Sequence, residues 1–365
     1  MASQRTAVGQ VALIGVGLIG GSVGLAVRER LPGTQVVGFD NDADVLARAL
    51  ELGAIDAIAV SIEAAVSGAD VVVVAVPVGV LPEVAKTALQ FAGPDAVVTD
   101  VGSTKRQIVA AIGDPRFIGG HPIAGAETAG VDHARADLFD GATWFLTPTK
   151  TTTGTGLERL MRMVGGLGAK AQALDAATHD RLLAEVSHLP HVLANALVSQ
   201  AADSHSAPDG GVTVIGPSFR DVTRVAGANT SIWKDIYLTN RDALAPAIDD
   251  MIARLAEFRD ALNAADGDTI ARLNDRARSD RHALLEQDLV GGEVCELRVS
   301  VPNEPGVLAQ ITLVLGRAGV NIVDMALYPA PDARSGAVSL WVAGDEMATR
   351  TEALIAELGF PVARA

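Results

Sequence analysis

Six residues near the start constrain this chain more than any others: Gly15-Val16-Gly17-Leu18-Ile19-Gly20. A short apolar strand, Val11–Ile14, runs into them, and Gly21–Arg30 follows with helical spacing. A G-x-G-x-x-G loop between strand and helix has a physical reading. Gly15 allows the tight turn, Gly17 lets the backbone approach a pyrophosphate, and Gly20 lets helix and strand pack closely. The first N–H groups of the helix are left for phosphate oxygens. A second apolar strand, Gln35–Phe39, ends at Asp40, which stands 20 residues after Gly20. A carboxylate there accepts hydrogen bonds from a ribose and repels a 2′-phosphate, so NAD is expected over NADP. Asp40 could also cap the helix that begins near Asp42, but capping does not explain the spacing. The cofactor loop is therefore expected to use Gly15, Gly17, Leu18, Ile19, Gly20 and Asp40.

Strands and helices keep alternating after this loop. Val71–Val76 reads as a buried strand ending at Pro77, Leu81–Phe91 as a helix, Ala96–Asp100 as a strand, and Gly102–Ile112 as a helix. Phe117–Gly120, Ala142–Thr147 and Ala169–Leu174 read as further strands. Apolar, β-branched strands alternating with helices predict a parallel, doubly wound α/β sheet of Rossmann type. Ligands in such sheets sit off the carboxyl ends of the strands. That rule adds Val76 and Pro77 to the cofactor side and brings Ser103 and His121 to the same edge. His121 follows Gly119-Gly120 and precedes Pro122, which biases it to an extended backbone. In isolation it is either a buried histidine in a turn or a proton acceptor near neutral pH. Its place on the sheet edge favours the acceptor, with the two glycines as clearance for cofactor and substrate.

The composition changes near Thr178, and helical periodicity continues to about Gln287. By fold analogy, an all-α domain here supplies the second wall of a cleft and a homodimer interface. In Ser187-His188-Leu189-Pro190-His191 the two histidines face the cleft as a pair of donors. No third ligand stands at a telling spacing, so no metal is expected. Arg224 follows Asp221 by three residues. It either makes an ordinary ion pair or offers its planar fork to a substrate carboxylate. The formal charge of −15 disfavours nucleic acid and anionic membranes as partners and calls for such a local cation if the substrate is anionic. A single cysteine and a short polar N-terminus predict a reducing, cytoplasmic location. After Gly291-Gly292 the order βαββαβ predicts a small ferredoxin-like module. The expected domains are 1–176, 177–290 and 291–365.

Five motifs in this order resemble one family, the prephenate dehydrogenases of tyrosine biosynthesis, over essentially the whole chain. They are Gly15–Ser22, Asp100–Lys105, Gly119–Gly125 with Glu127, Ser187–His191, and Asp221–Ala226 with Trp233–Ile236. The last module resembles an ACT domain, whose amino-acid-binding edge would be Asn303, Gly306, Val307, Leu308 and Asn321. Two departures stand out: Ala126 where a hydroxyl residue is frequent, and no proline in Asn229-Thr230-Ser231. The resemblance implies NAD-dependent oxidative decarboxylation of prephenate to 4-hydroxyphenylpyruvate. It implies that His121 accepts the 4-hydroxyl proton and Ser103 orients that group. Arg224 would hold the ring carboxylate, His191 and Ser187 the pyruvyl side chain, and Glu127 would pair with Arg224 in the empty site. An aromatic amino acid, tyrosine first, would inhibit through the ACT unit. The competing expectations are an arogenate dehydrogenase, a hydroxy-acid dehydrogenase of similar architecture, and a catalytically silent amino-acid sensor.

Overall fold

Four consecutive valines, Val71–Val74, are wholly buried, because helices cover both faces of the sheet they belong to. In this computed structural model residues 8–124, 128–205, 215–287, 294–304, 306–320, 322–329 and 335–364 are described. Glu127, Asn321, the Gly291-Gly292 linker and the breaks expected between Ala207 and Gly211 lie outside them. The chain divides into two compact units, Met1–Met251 and Ile252–Ala365.

The first unit opens with β1 (Gln10–Ile14), α1 (Leu18–Arg30), β2 (Gln35–Phe39), α2 (Ala43–Leu52), β3 (Ala57–Ile58), α3 (Ile62–Val66), β4 (Val71–Val74) and α4 (Leu81–Phe91). It continues with β5 (Val97–Asp100), α5 (Arg106–Ile112), β6 (Phe117–Pro122), β7 (Thr143–Thr147), α6 (Gly154–Gly166) and β8 (Lys170–Ala173). The sheet order is β3-β2-β1-β4-β5-β6-β7-β8. Successive strand residues point to opposite faces, and each face has its own core. Val11, Leu13, Val71 and Val73 pack with α1, α2 and α6. Ala12, Ile14, Val72 and Val74 pack with α3, α4 and α5.

The sheet is not parallel throughout. β7 pairs antiparallel with β6, with His121 opposite Phe145. A parallel return needs a crossover that spans the sheet; between these two strands the described chain forms only a 3-10 turn at Val131–His133. The short β3 was not anticipated. The stretch Gly102–Lys105, expected as the first turn of a helix, is a loop, and α5 starts at Arg106.

Helices α7 (Ala176–Leu183), α8 (Leu189–His205), α9 (Pro217–Thr223), α10 (Thr230–Thr239) and α11 (Arg241–Asn263) come next, and the division between units falls inside α11. α7 begins five residues earlier than the periodicity from Arg181 predicts, because Asp175 accepts the Ala177 and Thr178 N–H groups at 3.1 and 2.9 Å. One π-helical turn, Ala184–His188, joins α7 to α8.

The second unit contains α12 (Gly267–Gln287), then β9 (Val294–Pro302), α13 (Val307–Arg317), β10 (Ile322–Pro329), β11 (Ser335–Ala343), α14 (Asp345–Glu357) and β12 (Val362–Arg364). The strands form an antiparallel sheet in the order β10-β11-β9-β12. Leu297, Val299, Leu340, Ile311, Leu315 and Ile355 build its core between sheet and helices. This is the expected βαββαβ module. The Arg281 guanidinium on α12 lies 5.2 Å from the Trp341 ring centre.

Candidate active site

The glycine loop has the form its spacing predicts. Gly15 sits at φ 89°, and a Cβ on Gly20 would fall 2.1 Å from the Gly15 carbonyl oxygen, so only glycine fits that helix–loop contact. A Cβ on Gly17 would meet nothing within 4 Å. Gly17 is the N-cap of α1 and leaves the helix start with no side-chain cap. That is an open approach to uncapped N–H groups, the arrangement a pyrophosphate requires. Asp40 accepts the Val16 N–H at 2.9 Å and the Asp42 N–H at 3.1 Å. Asp42, not Asp40, caps α2. Asp40 is therefore fixed against the glycine loop, with lone pairs left for a ribose. Val76 is half-buried and Pro77 exposed just past β4. These residues fit a dinucleotide.

The two glycines before His121 act otherwise than expected. A Cβ on Gly119 would fall 2.4 Å from Thr147 Oγ1 and 3.0 Å from Lys105 Cδ. On Gly120 it would fall 2.5 Å from the Asp100 carbonyl oxygen and 2.7 Å from Thr99 Oγ1. The missing side chains make room for protein, not for cofactor or substrate. What they admit is a fully buried ion pair, Lys105 with Asp100. Asp100 also accepts the Gly102 N–H at 2.8 Å and the Gly120 N–H at 3.0 Å. Burial lowers the Lys105 pKa, and Asp100 opposes that shift.

The loop that carries Ser103 is held from three sides. Asp100 takes Gly102 and Lys105 Nζ. Asp180 on α7 accepts the Lys105 and Arg106 N–H groups at 2.7 and 2.9 Å, capping α5. The hydroxyls of Thr104 and Thr239 on α10 meet at 3.0 Å. Ser103 stays half-buried between these anchors, at the end of the strand beside His121.

His121, 8 % exposed, has a partner that sequence reasoning missed. Its Nδ1 lies 2.9 Å from His179 Nε2, and His179 Nδ1 lies 2.8 Å from Asp180 Oδ1. A carboxylate only accepts, so the hydrogen is on His179 Nδ1 and the lone pair on its Nε2. His121 Nδ1 then donates, and His121 Nε2 is left as an open acceptor. Burial holds the His121 pKa well below its usual range, aided by His179, Lys105 and His188. Burial also lowers His179, against the pull of Asp180. Phe145, opposite His121 across the antiparallel pair, packs edge-on against the His179 ring at 5.6 Å. No local spacing announces this chain; His121 and His179 are 58 residues apart. Only the adjacent His179-Asp180 pair at the start of the helical region offered a signal.

Ser187 is half-buried in the π-helical turn. His191 is buried and stacks on Trp233 with ring centres 3.6 Å apart and planes within 2°. Its Nδ1 bonds the Tyr237 hydroxyl and lies 3.2 Å from Asn195 Nδ2. Burial lowers its pKa, and the Val225 backbone opposes that. His191, Asn195, Trp233 and Tyr237 line a cavity of about 720 Å³ with Thr223 and Lys234. Arg224 is exposed at the C-cap of α9, where the short helix has already ended.

A glycine-rich cofactor cradle, an anchored hydroxyl loop and a buried histidine relay on one sheet edge, with a helical domain behind them, define a dinucleotide-dependent dehydrogenase. Known proteins narrow the class. Residues 23–173 match the prephenate dehydrogenase nucleotide-binding domain, 175–274 the prephenate dehydrogenase dimerization domain, and 296–346 the ACT domain. A prephenate dehydrogenase of Bacillus subtilis is 31% identical over 355 residues, which are 94% of this chain and 95% of the relative. The crystal structure of Aquifex aeolicus prephenate dehydrogenase in complex with hydroxyphenyl propionate and NAD+ is 31% identical, with a TM-score of 0.70 over 74% of this chain and 97% of that one. Synechocystis arogenate dehydrogenase is 27% identical, with a TM-score of 0.66 over 74% and 98%. The chain belongs to the prephenate dehydrogenase family.

Proposed function

We propose that this chain is an NAD-dependent prephenate dehydrogenase, converting prephenate to 4-hydroxyphenylpyruvate and CO₂ in tyrosine synthesis. The observation that carries the reading is the His121–His179–Asp180 chain beside an open dinucleotide cradle. Gly15, Gly17, Leu18, Ile19 and Gly20 would hold the pyrophosphate, Asp40 the ribose, and Val76, Pro77 and Ser103 the nicotinamide side. NAD⁺, when bound, supplies the hydride acceptor. The protein's own part is proton handling and orientation.

His121 Nε2 takes the 4-hydroxyl proton of prephenate. As the imidazole gains charge, its Nδ1–H bond to His179 and the Asp180 carboxylate behind it stabilise the cation. Ser103, on its anchored loop, orients the hydroxyl. Arg224 and the Ser187–His191 turn serve the carboxylate and the pyruvyl side chain, and Glu127 is assigned to Arg224 as a gate. Hydride, proton and CO₂ leave, and the ring becomes aromatic.

The chain forms a homodimer through its helical domain, whose helices expose Val222, Ile232 and Leu238. Among the described residues no helix is long and apolar enough to cross a membrane, and the cytoplasm is our assignment. In the second unit Asn303, Val307, Leu308 and Tyr328 line a cavity of about 260 Å³, and Gly306 opens α13 at φ 93°. We assign it to an aromatic amino acid effector, tyrosine first.

The test is NADH and CO₂ formation with prephenate and arogenate in parallel, with NAD⁺ and NADP⁺, with and without tyrosine. Prephenate with NAD⁺ should give the highest kcat/KM, and tyrosine should lower the rate. No NADH from either substrate would overturn the reading, and a preference for arogenate would move the assignment to arogenate dehydrogenase.

A further inference from the structure

His188 stands at the end of the π-helical turn, 1 % exposed. A π turn inserts one residue, which rotates the rest of the helix by about 100° relative to an unbroken one. Asn240, at the C-terminus of α10, is buried too. Its Nδ2 donates to the Asp180 carbonyl oxygen at 2.8 Å and lies 3.0 Å from His188 Nδ1. A carbonyl only accepts, so the nitrogen end of the amide faces it, and the same NH₂ group faces His188. His188 Nδ1 must then carry the lone pair and Nε2 the hydrogen. That Nε2–H is buried and has no hydrogen-bond partner among the described residues. A buried donor without an acceptor costs about 1–3 kcal/mol, so an acceptor that arrives with a ligand accounts for its retention. The His188 ring contributes to the lowering of the His121 pKa, after burial, His179 and Lys105, and Trp233, packed against it, lines the same cavity as His191. Burial also holds His188 itself down to about 4. Trp233 packs edge-on against His188, with ring centres 6.0 Å apart and planes at 90°, as well as flat on His191.

We propose that the Nε2–H of His188 is a built hydrogen-bond donor for an oxygen of the bound substrate, with Asn240 as the positioning residue that fixes its tautomer. The inference rests on reading this site as that of a prephenate dehydrogenase. The motif reading already made His188 one of a pair of donors facing the cleft; the structure adds which ring nitrogen donates and which residue fixes it. An oxygen reaching Nε2 changes the surroundings of the Trp233 indole packed against that ring, so tryptophan fluorescence reports its arrival.

The experiment compares His188→Phe, which keeps an aromatic ring without a donor, with His188→Gln, which returns an N–H near the Nε2 position. The Phe variant should raise KM for prephenate roughly 10- to 100-fold and lose the substrate-induced fluorescence change, with KM for NAD⁺ unchanged. The Gln variant should recover most of the loss. Nitrogen-15 correlation spectra of histidine-labelled wild type should show His188 protonated at Nε2, and Asn240→Asp should move the proton to Nδ1. A folded Phe variant with wild-type KM, or a wild-type proton on Nδ1, overturns the proposal. If His188→Phe does not fold, equal KM values for His188→Asn and His188→Gln overturn it, because the Asn donor stops short of the Nε2 position. Wild-type enzyme that oxidises neither prephenate nor arogenate removes the functional reading instead, and the tautomer result stands apart from that failure.

Discussion

At the scale of single residues, the chemistry of His121 is set by atoms that no motif contains. Its motif gave the strand end and the extended backbone. Which ring nitrogen accepts a proton is decided by His179 and Asp180, which reach it only after the helical domain folds back. Asp180→Asn keeps an acceptor for only one of the Lys105 and Arg106 N–H groups, which bond different carboxylate oxygens, and it no longer forces a hydrogen onto His179 Nδ1. We expect kcat to fall roughly 10²- to 10⁴-fold with little change in KM for NAD⁺; steady-state kinetics decide it, and a loss under threefold would remove the relay from the mechanism. The same geometry fixes a pH profile. His121 must be neutral to accept, and burial, followed by His179, Lys105 and His188, holds its pKa well below 6.5. Activity is therefore lost only as pH falls through that depressed value. The acid limb of kcat/KM should lie below pH 6.5, and a limb centred above that value would contradict a buried neutral base.

At the scale of elements, β6 shows why part of the fold was legible and part was not. The strands other than β3, and α1, α2 and α4, come from local patterns: valine runs, the glycine loop, Asp42 as cap. Direction is not a local property, so nothing within Thr143–Thr147 distinguishes an antiparallel β7 from a parallel one. Nor does Gly119-Gly120 say what fills the space beside it. That space is taken by Lys105, Thr147, Thr99 and Asp100. Gly120→Ala should destabilise more than Gly119→Ala. The first meets a backbone carbonyl, while the second meets chiefly Thr147 Oγ1, and Thr147→Ala should partly relieve it. Overpacking of this kind costs about 1–3 kcal/mol. Lys105→Met should cost more, about 3–5 kcal/mol, because it strands the Asp100 carboxylate without its cation. Urea unfolding gives the order, and a neutral Lys105→Met would show that Gly102 and Gly120 alone satisfy Asp100.

At the scale of the whole molecule, the described side chains of His121, His179, His188 and His191 gather in the first unit, and burial lowers the pKa of each. His121 and the His188–His191 pair were expected at one cleft, and the chain's net acidity was plain; the place of His179 among them was not legible in the sequence. The gathering gives acid stability a definite sign. In the unfolded chain a histidine takes up its proton near pH 6.5; in the folded chain these four resist to lower pH. Between the two values the unfolded state binds more protons, so stability rises with pH through that window and is lost as pH falls below about 6.5. Above it the four are neutral in both states and add no slope. For His188 the window runs from 6.5 down to about 4, and its share of the loss is roughly 1 kcal/mol by about pH 5.5. Trp144 and Trp233 belong to the first unit and Trp341 to the second. Thermal unfolding followed by fluorescence with Trp341→Phe as background isolates the first unit. Its midpoint should drop by several degrees between about pH 7 and pH 5.5. Replacing His188 by Gln should shrink that drop, since the residue that must be protonated in the unfolded state is gone. A drop of equal size in wild type and His188→Gln would remove His188 from the acid sensitivity.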